Sequence, residues 1–192
     1  MKIKLIEEII IPDNLKLNPK ASKYDIESVV RELLDINLYL TITKNGIVKY
    51  GDTYMSIRGL DIQHIPVYFE SSEKKGMYGK SFDCSNNKLI SLEGCPERVD
   101  GSFHCNSNNL TTLEYSPNDV SADYDCSGNK LTSLRGCPKT VYRDFVCSWN
   151  NLYSLNSGPN VVKRHYECYN NPIDFTEEYV RRHCKVGADV ET

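Results

Sequence analysis

The stretch Phe82–Pro96 reads FDCSNNKLISLEGCP, and its neighbours repeat it: FHCNSNNLTTLEYSP from Phe103, YDCSGNKLTSLRGCP from Tyr124, FVCSWNNLYSLNSGP from Phe145. A broken fifth copy, YECYNNPI, begins at Tyr166. Each copy starts 21 residues after the one before. A fixed period of about 20–29 residues marks a solenoid, in which each repeat is one coil and buries its apolar side only against its neighbours.

Each repeat position has a physical reading. Phe82, Phe103, Tyr124, Phe145 and Tyr166 stand two residues before Cys84, Cys105, Cys126, Cys147 and Cys168, so both side chains of a pair face into a strand-built core. Asn87, Asn108, Asn129, Asn150 and Asn171 follow three residues later, where a stacked amide can bond the backbone of its own and the adjacent coil. The leucine pairs from Leu89 and Leu92 to Leu152 and Leu155 fill the returning side. Pro96, Pro117, Pro138 and Pro159 keep that side extended, and Val99, Val120, Val141 and Val162 lead into the next strand.

The pattern resembles the leucine-rich repeat, L-x-x-L-x-L-x-x-N-x-L, with an aromatic residue and Cys at its two strand positions; Phe103 to Leu110 reads F-x-C-x-x-N-x-L. It departs at the front, where Val99 lies four residues before Phe103 rather than three. The short, proline-closed form is similar to bacterial effector repeats, and the wording C-S-x-N-x-L-x-S-L-x-G-x-P looks most like repeat proteins encoded by large tailed bacteriophages. The expected fold is an α/β repeat solenoid: a short leucine-rich repeat array with a parallel concave sheet and an extended convex side.

The flanks read as end pieces. Asp25 to Asn37 places Ile26, Val29, Val30, Leu33 and Leu34 on one helical face, and Leu38–Thr43 with Ile47–Tyr50 flank Asn45-Gly46, a type I′ hairpin signal. Met55, Ile57, Leu60, Ile62 and Ile65 fit a weaker first repeat, and Phe69 to Met77 reads as a charged connection. Thr176-Glu177-Glu178 opens a helix that Arg181, Arg182, His183 and Lys185 close. The chain thus divides into 1–50 (N-terminal helix-plus-hairpin cap), 51–77 (degenerate repeat and connection), 78–172 (regular repeats) and 173–192 (C-terminal cap helix and tail).

Composition limits the function. The 192 residues are 40% apolar and 26% charged with a net charge of -3, which suits a globular chain and argues against a general nucleic-acid binder. No apolar run approaches the ~18 residues of a membrane span, and Glu7 and Glu8 interrupt the N-terminal apolar stretch, so neither a span nor a signal peptide is expected. The reading is cytoplasmic, in a host cell if the phage resemblance holds. Zinc favours a close Cys pair, which the 21-residue spacing does not offer, so the cysteines read as core and no metal or cofactor is expected. Cys95 and Cys137 give way to Ser116 and Gly158 in the same slot, so no sulfur is required there. No phosphate loop, nucleophile elbow or zincin motif occurs, and no enzyme is expected.

Outward strand positions are free to bind a partner. They carry Asp83, Asp123, Asp125, Asp144 and Glu167, with His104 between Asp83 and Asp125, and His165 near the C-terminal end. Trp149 is the sole Trp, at a position otherwise filled by Asn, Ser or Gly, and Tyr169 is near it in the repeat register. The expected function is non-enzymatic capture of a host protein of basic or mixed surface on the acidic concave face, to inhibit or redirect it. Two alternatives are a nucleotide-signal sponge, opposed by an acidic face whose Arg and Lys lie elsewhere, and a structural or assembly protein of a virion.

Overall fold

The computed structural model describes residues 3–6, 9–35, 40–50, 54–71 and 80–192. Strands β1 (Ile3–Ile6) and β2 (Ile9–Pro12) pair antiparallel, α1 covers Lys23–Asp35, and β3 (Leu40–Ile42) turns back into β4 (Val48–Tyr50). Next come β5 (Met55–Ser56) and β6 (Phe69–Ser71), then β7 (Phe82–Asp83), β8 (Arg98–Val99), β9 (Phe103–His104) and β10 (Asp119–Val120). The series continues with β11 (Tyr124–Asp125), β12 (Thr140–Val141), β13 (Phe145–Val146), β14 (Val161–Val162) and β15 (Tyr166–Glu167). Helix α2 (Glu177–His183), β16 (Lys185–Val186) and β17 (Val190–Glu191) end the chain.

From β5 on, the odd-numbered strands stack into one parallel sheet, β17-β15-β13-β11-β9-β7-β5, and from β8 on the even-numbered ones into a second, β16-β14-β12-β10-β8. The chain is a β-solenoid of about six turns, each of about 21 residues. Two sheets arise because the Pro-led return is more regular than an extended convex side: its valines pair coil to coil, as Val120 does with Val99 and Val141.

Between the sheets the side chains sort into ladders. Phe82, Phe103, Tyr124, Phe145 and Tyr166 stack with centroids 5.0–6.2 Å apart, and the five strand cysteines beside them are fully buried. Leu89, Leu110, Leu131 and Leu152 close the returning side, and Val99, Val120, Val141 and Val162 fill the second sheet. Burying a large apolar side chain contributes roughly 1.5–3 kcal/mol, so each coil's stability comes chiefly from this stack.

The asparagine column does what its spacing predicts. Asn108 Nδ2 donates to Cys84 O at 3.0 Å in the preceding coil and to Cys105 O at 3.1 Å in its own, while Oδ1 accepts from Leu89 N at 2.9 Å. Asn87, Asn129 and Asn150 repeat the arrangement. The column satisfies buried backbone groups where the chain leaves the first sheet.

The flanks depart from expectation in four places. Helix α1 starts at Lys23, because Ser22 Oγ accepts from Asp25 N at 3.1 Å while Asp25 Oδ2 accepts from Ser22 N at 2.9 Å, a reciprocal cap. Its predicted face is buried at Val29, Val30 and Leu33, and Asp25 Oδ1 ties it to the first coil by accepting from Gln63 N at 3.0 Å. The hairpin is not type I′: only Gly46 has positive φ, Gly46 N donates to Thr43 O, and Thr43 N to Ile47 O. That is a three-residue loop, in which Gly46 alone takes the left-handed position.

Residues 69–71 of the expected connection form β6, which pairs in parallel with β4; 72–79 lie outside the described residues, as do Asn37 and Leu38. Helix α2 does not close the array, for β16 and β17 follow it and extend both sheets. Phe175, Val180 and Cys184 fill the core in place of a leucine pair. The helical detour takes extra chain, so Val190 pairs with Tyr166 where the repeat period would place Gly187.

Candidate partner-binding face

Alternation along the first sheet turns three positions per coil outward, and cross-coil pairing lines them up in columns. The column before the aromatic residue, Ser81, Ser102, Asp123, Asp144 and His165, is a bonding ladder that sequence reasoning missed. Ser102 N donates to Ser81 Oγ at 2.9 Å and Asp123 N to Ser102 Oγ at 3.3 Å. Asp144 N donates to Asp123 Oδ1 at 3.2 Å and His165 N to Asp144 Oδ1 at 3.1 Å. Short side-chain acceptors are needed here, and the run of Ser and Asp was the visible signal.

Asp123 and Asp144 are also paired, with Arg143 Nε at 3.5 Å and Arg164 Nε at 3.6 Å. The expectation that Arg side chains lie away from the acidic face is therefore corrected: Arg143 and Arg164 lie on its edge, and Arg58 stands beside Asp83. His165 Nδ1 is 3.4 Å from Asp189 Oδ2.

The column between aromatic residue and Cys runs Asp83, His104, Asp125, Val146, Glu167 and Glu191 in register. Asp83 is 3% exposed, so it presents no carboxylate to a partner. Its Oδ1 accepts from Ser85 N at 2.9 Å, Tyr54 Oη donates to Oδ2, and Arg58 stands 4.0 Å away. Burial opposes its ionisation, but hydrogen bonds from Ser85 and Tyr54 outweigh that and hold its pKa below the usual value. Burial also pushes the Tyr54 hydroxyl up to about 12, with the hydrogen bond to Asp83 adding to the effect. His104 sits in register between Asp83 and Asp125. Asp125 Oδ1 accepts from Ser127 N at 2.9 Å and Ser127 Oγ at 2.6 Å. The Glu167 carboxyl is raised above its ordinary pKa, first by burial, then by Glu191, Asp125 and Asp144.

Trp149 occupies the third notable column. Asn86, Ser107, Gly128, Trp149 and Asn170 all have positive φ, between 53° and 61°. Glycine and asparagine accept that left-handed backbone readily, whereas a bulky residue there is strained by on the order of 1–2 kcal/mol. Trp149 has φ 56° and is 60% exposed, so local packing does not offset the strain. Its N–H donates to Tyr169 O at 3.0 Å, which sets Tyr169, itself half-buried, beside it in the next coil. Among the described residues Tyr115, with φ 66° on the returning side, is the other exposed aromatic residue held this way.

Three residues escaped the sequence reading. Tyr153 is 67% exposed in the column otherwise made by Ile90, Thr111 and Thr132, and Ile173 is exposed in the column whose other members are buried leucines. Ser148 Oγ, between Val146 and Trp149, is fully buried and has no hydrogen-bond partner among the described residues. The size jump from Thr132 to Tyr153 was legible; the orphaned hydroxyl was not.

Among the described residues no group of three or more His, Cys, Asp or Glu side chains is placed to hold a metal ion, and no helix is long and apolar enough to cross a membrane. No protein-family model, curated protein or solved structure matches the chain.

Proposed function

We propose that this solenoid is a non-enzymatic binding module of the short leucine-rich-repeat type, closed at its ends by α1 with the β3–β4 hairpin and by the α2 coil. It receives a protein on the outward face of the first sheet. The observation that carries the reading is Trp149, a large apolar side chain both strained and exposed. A residue that costs stability without packing gain is accounted for by use at an interface, where Trp is enriched among energetic anchors. Tyr169 and Glu167 extend the site along the next coil, with Asp125 steering a basic or mixed surface toward it.

Eight free thiols suit a reducing cytoplasm. The further reading, a phage protein that inhibits or redirects a host protein, rests on the resemblance in the repeat wording. The test is affinity capture on the immobilised full chain beside its Trp149→Ala and Val146→Arg variants. A stoichiometric protein held by the parent and lost with both variants supports the reading. Equal retention by all three refutes it.

A further inference from the structure

The charges of the first-sheet face balance unevenly. Asp123 and Asp144 have Arg143 and Arg164, His165 has Asp189, and Asp83 is enclosed with Tyr54 and Arg58. Asp125, Glu167 and Glu191 have no cation within 4.0 Å among the described residues. Register sets them in a row with Val146: carboxylate, isopropyl, carboxylate, carboxylate. Strands are spaced by about 4.8 Å, so Asp125 and Glu167 flank Val146 on both sides, and Glu167 faces Glu191 directly. Like charges opposed in this way are unfavourable. His104 beside Asp125 and His165 near Glu167 are the histidines that face the row, and no arginine or lysine pairs with it among the described residues.

An independent observation points to a ligand at the same place. Ser148 is two residues past Val146 on the outward side of the strand, and its hydroxyl is buried and unpartnered among the described residues. A buried polar group left unbonded costs about 1–3 kcal/mol. Trp149 follows immediately, strained and exposed. An apolar floor, unmatched carboxylates on both sides, an orphaned hydroxyl and an aromatic wall thus adjoin one another. A planar cation with several N–H donors meets all four demands.

We infer that the strip from Asp125 to Glu191 takes an arginine side chain from a basic segment of the partner protein. The inference rests on the proposed binding face and names the chemistry read there. The guanidinium lies over Val146, donates to Glu167 and Asp125, and stacks on the Trp149 and Tyr169 rings. Ser148 Oγ accepts one of its N–H groups once the groups that bury it give way. Lysine satisfies the charge but neither the fork geometry nor the stacking, so arginine is preferred.

The sole Trp of the chain is the reporter. Trp149 emission is followed on titrating the full chain with an acetylated, amidated Gly-Arg-Arg-Gly peptide, its lysine counterpart and its uncharged citrulline counterpart. The expected result is a saturable change with arginine, a weaker one with lysine and none with citrulline. Glu167→Gln with Asp125→Asn weakens the arginine response by about tenfold or more, while Glu97→Gln, just before β8 of the second sheet, leaves it intact. Circular dichroism of the double variant checks that the fold is kept, and the Asp125→Asn side chain retains the acceptor that Ser127 uses. Equal responses to arginine and citrulline, or no response to arginine, overturn the inference. If capture of a partner still depends on Trp149 in that event, the binding face stands and only the arginine assignment falls. If it does not, both fall.

Discussion

Asn129 joins two coils through one amide: its Nδ2 donates to Cys105 O in the preceding coil at 3.0 Å as well as to Cys126 O in its own at 3.1 Å. Its Oδ1 accepts from Leu110 N at 3.0 Å. Truncation to alanine orphans Leu110 N, while Cys105 O and Cys126 O keep the amides of Asn108 and Asn150. With one buried donor orphaned and two shared bonds lost, Asn129→Ala is expected to lower unfolding free energy by about 2 kcal/mol in urea denaturation. A loss below about 0.5 kcal/mol removes the column from the stability account.

Trp149 predicts the opposite sign. At φ 56° asparagine is the easier residue, and four sister positions carry Asn, Ser or Gly. Trp149→Asn is expected to raise stability by about 1 kcal/mol. A clear fall in the melting temperature shows that the indole packs locally and is no free anchor.

Thiol chemistry follows burial. Cys95 alone is half-buried rather than buried, yet burial and then a hydrogen bond with Cys84 raise its thiol well above the ordinary value. Burial pushes Cys168 and Cys137 up to about 12 and Cys184 to about 11, which leaves little thiolate at neutral pH. Alkylation of the native protein should reach the strand cysteines only as fast as the chain unfolds. Rapid labelling of Cys105 or Cys126, whose thiols burial also raises, contradicts the closed core.

Asp83 sets an acid limb. Its folded pKa lies below the ordinary 3.8, so its contribution to stability is complete above that value and is lost as pH falls through the folded value. Asp83→Asn should lower stability at neutral pH and flatten the acid dependence of the melting temperature. An unchanged acid limb means that the contact with Tyr54 carries no ionic part.

The repeat was legible because one period fixes which residues face inward, and every aromatic, Cys, Asn and Leu assigned from it lies where expected. The second sheet was hidden because each of its strands buries a single valine beside a variable residue, Arg98, Asp119, Thr140 or Val161, which gives no alternation to read. The continuation past α2 was hidden because Lys185–Val186 and Val190–Glu191 lie off the period. The acidic face was legible as a list of outward residues and not as a charge pattern. Asp123 and Asp144 act first as acceptors for the next coil's N–H, so Asp144→Lys perturbs the fold as well as the surface. Glu167 is the cleaner site for charge reversal.

The dissociation rate of a captured partner from the Trp149→Ala variant, measured beside the parent chain, bears most directly on binding through the first-sheet face. An aromatic anchor in a desolvated contact costs about 2 kcal/mol or more on truncation, so dissociation should quicken roughly thirtyfold. An unchanged rate, with binding abolished instead by substitutions between Tyr24 and Tyr50, contradicts the account and moves the working surface to the N-terminal helix and hairpin.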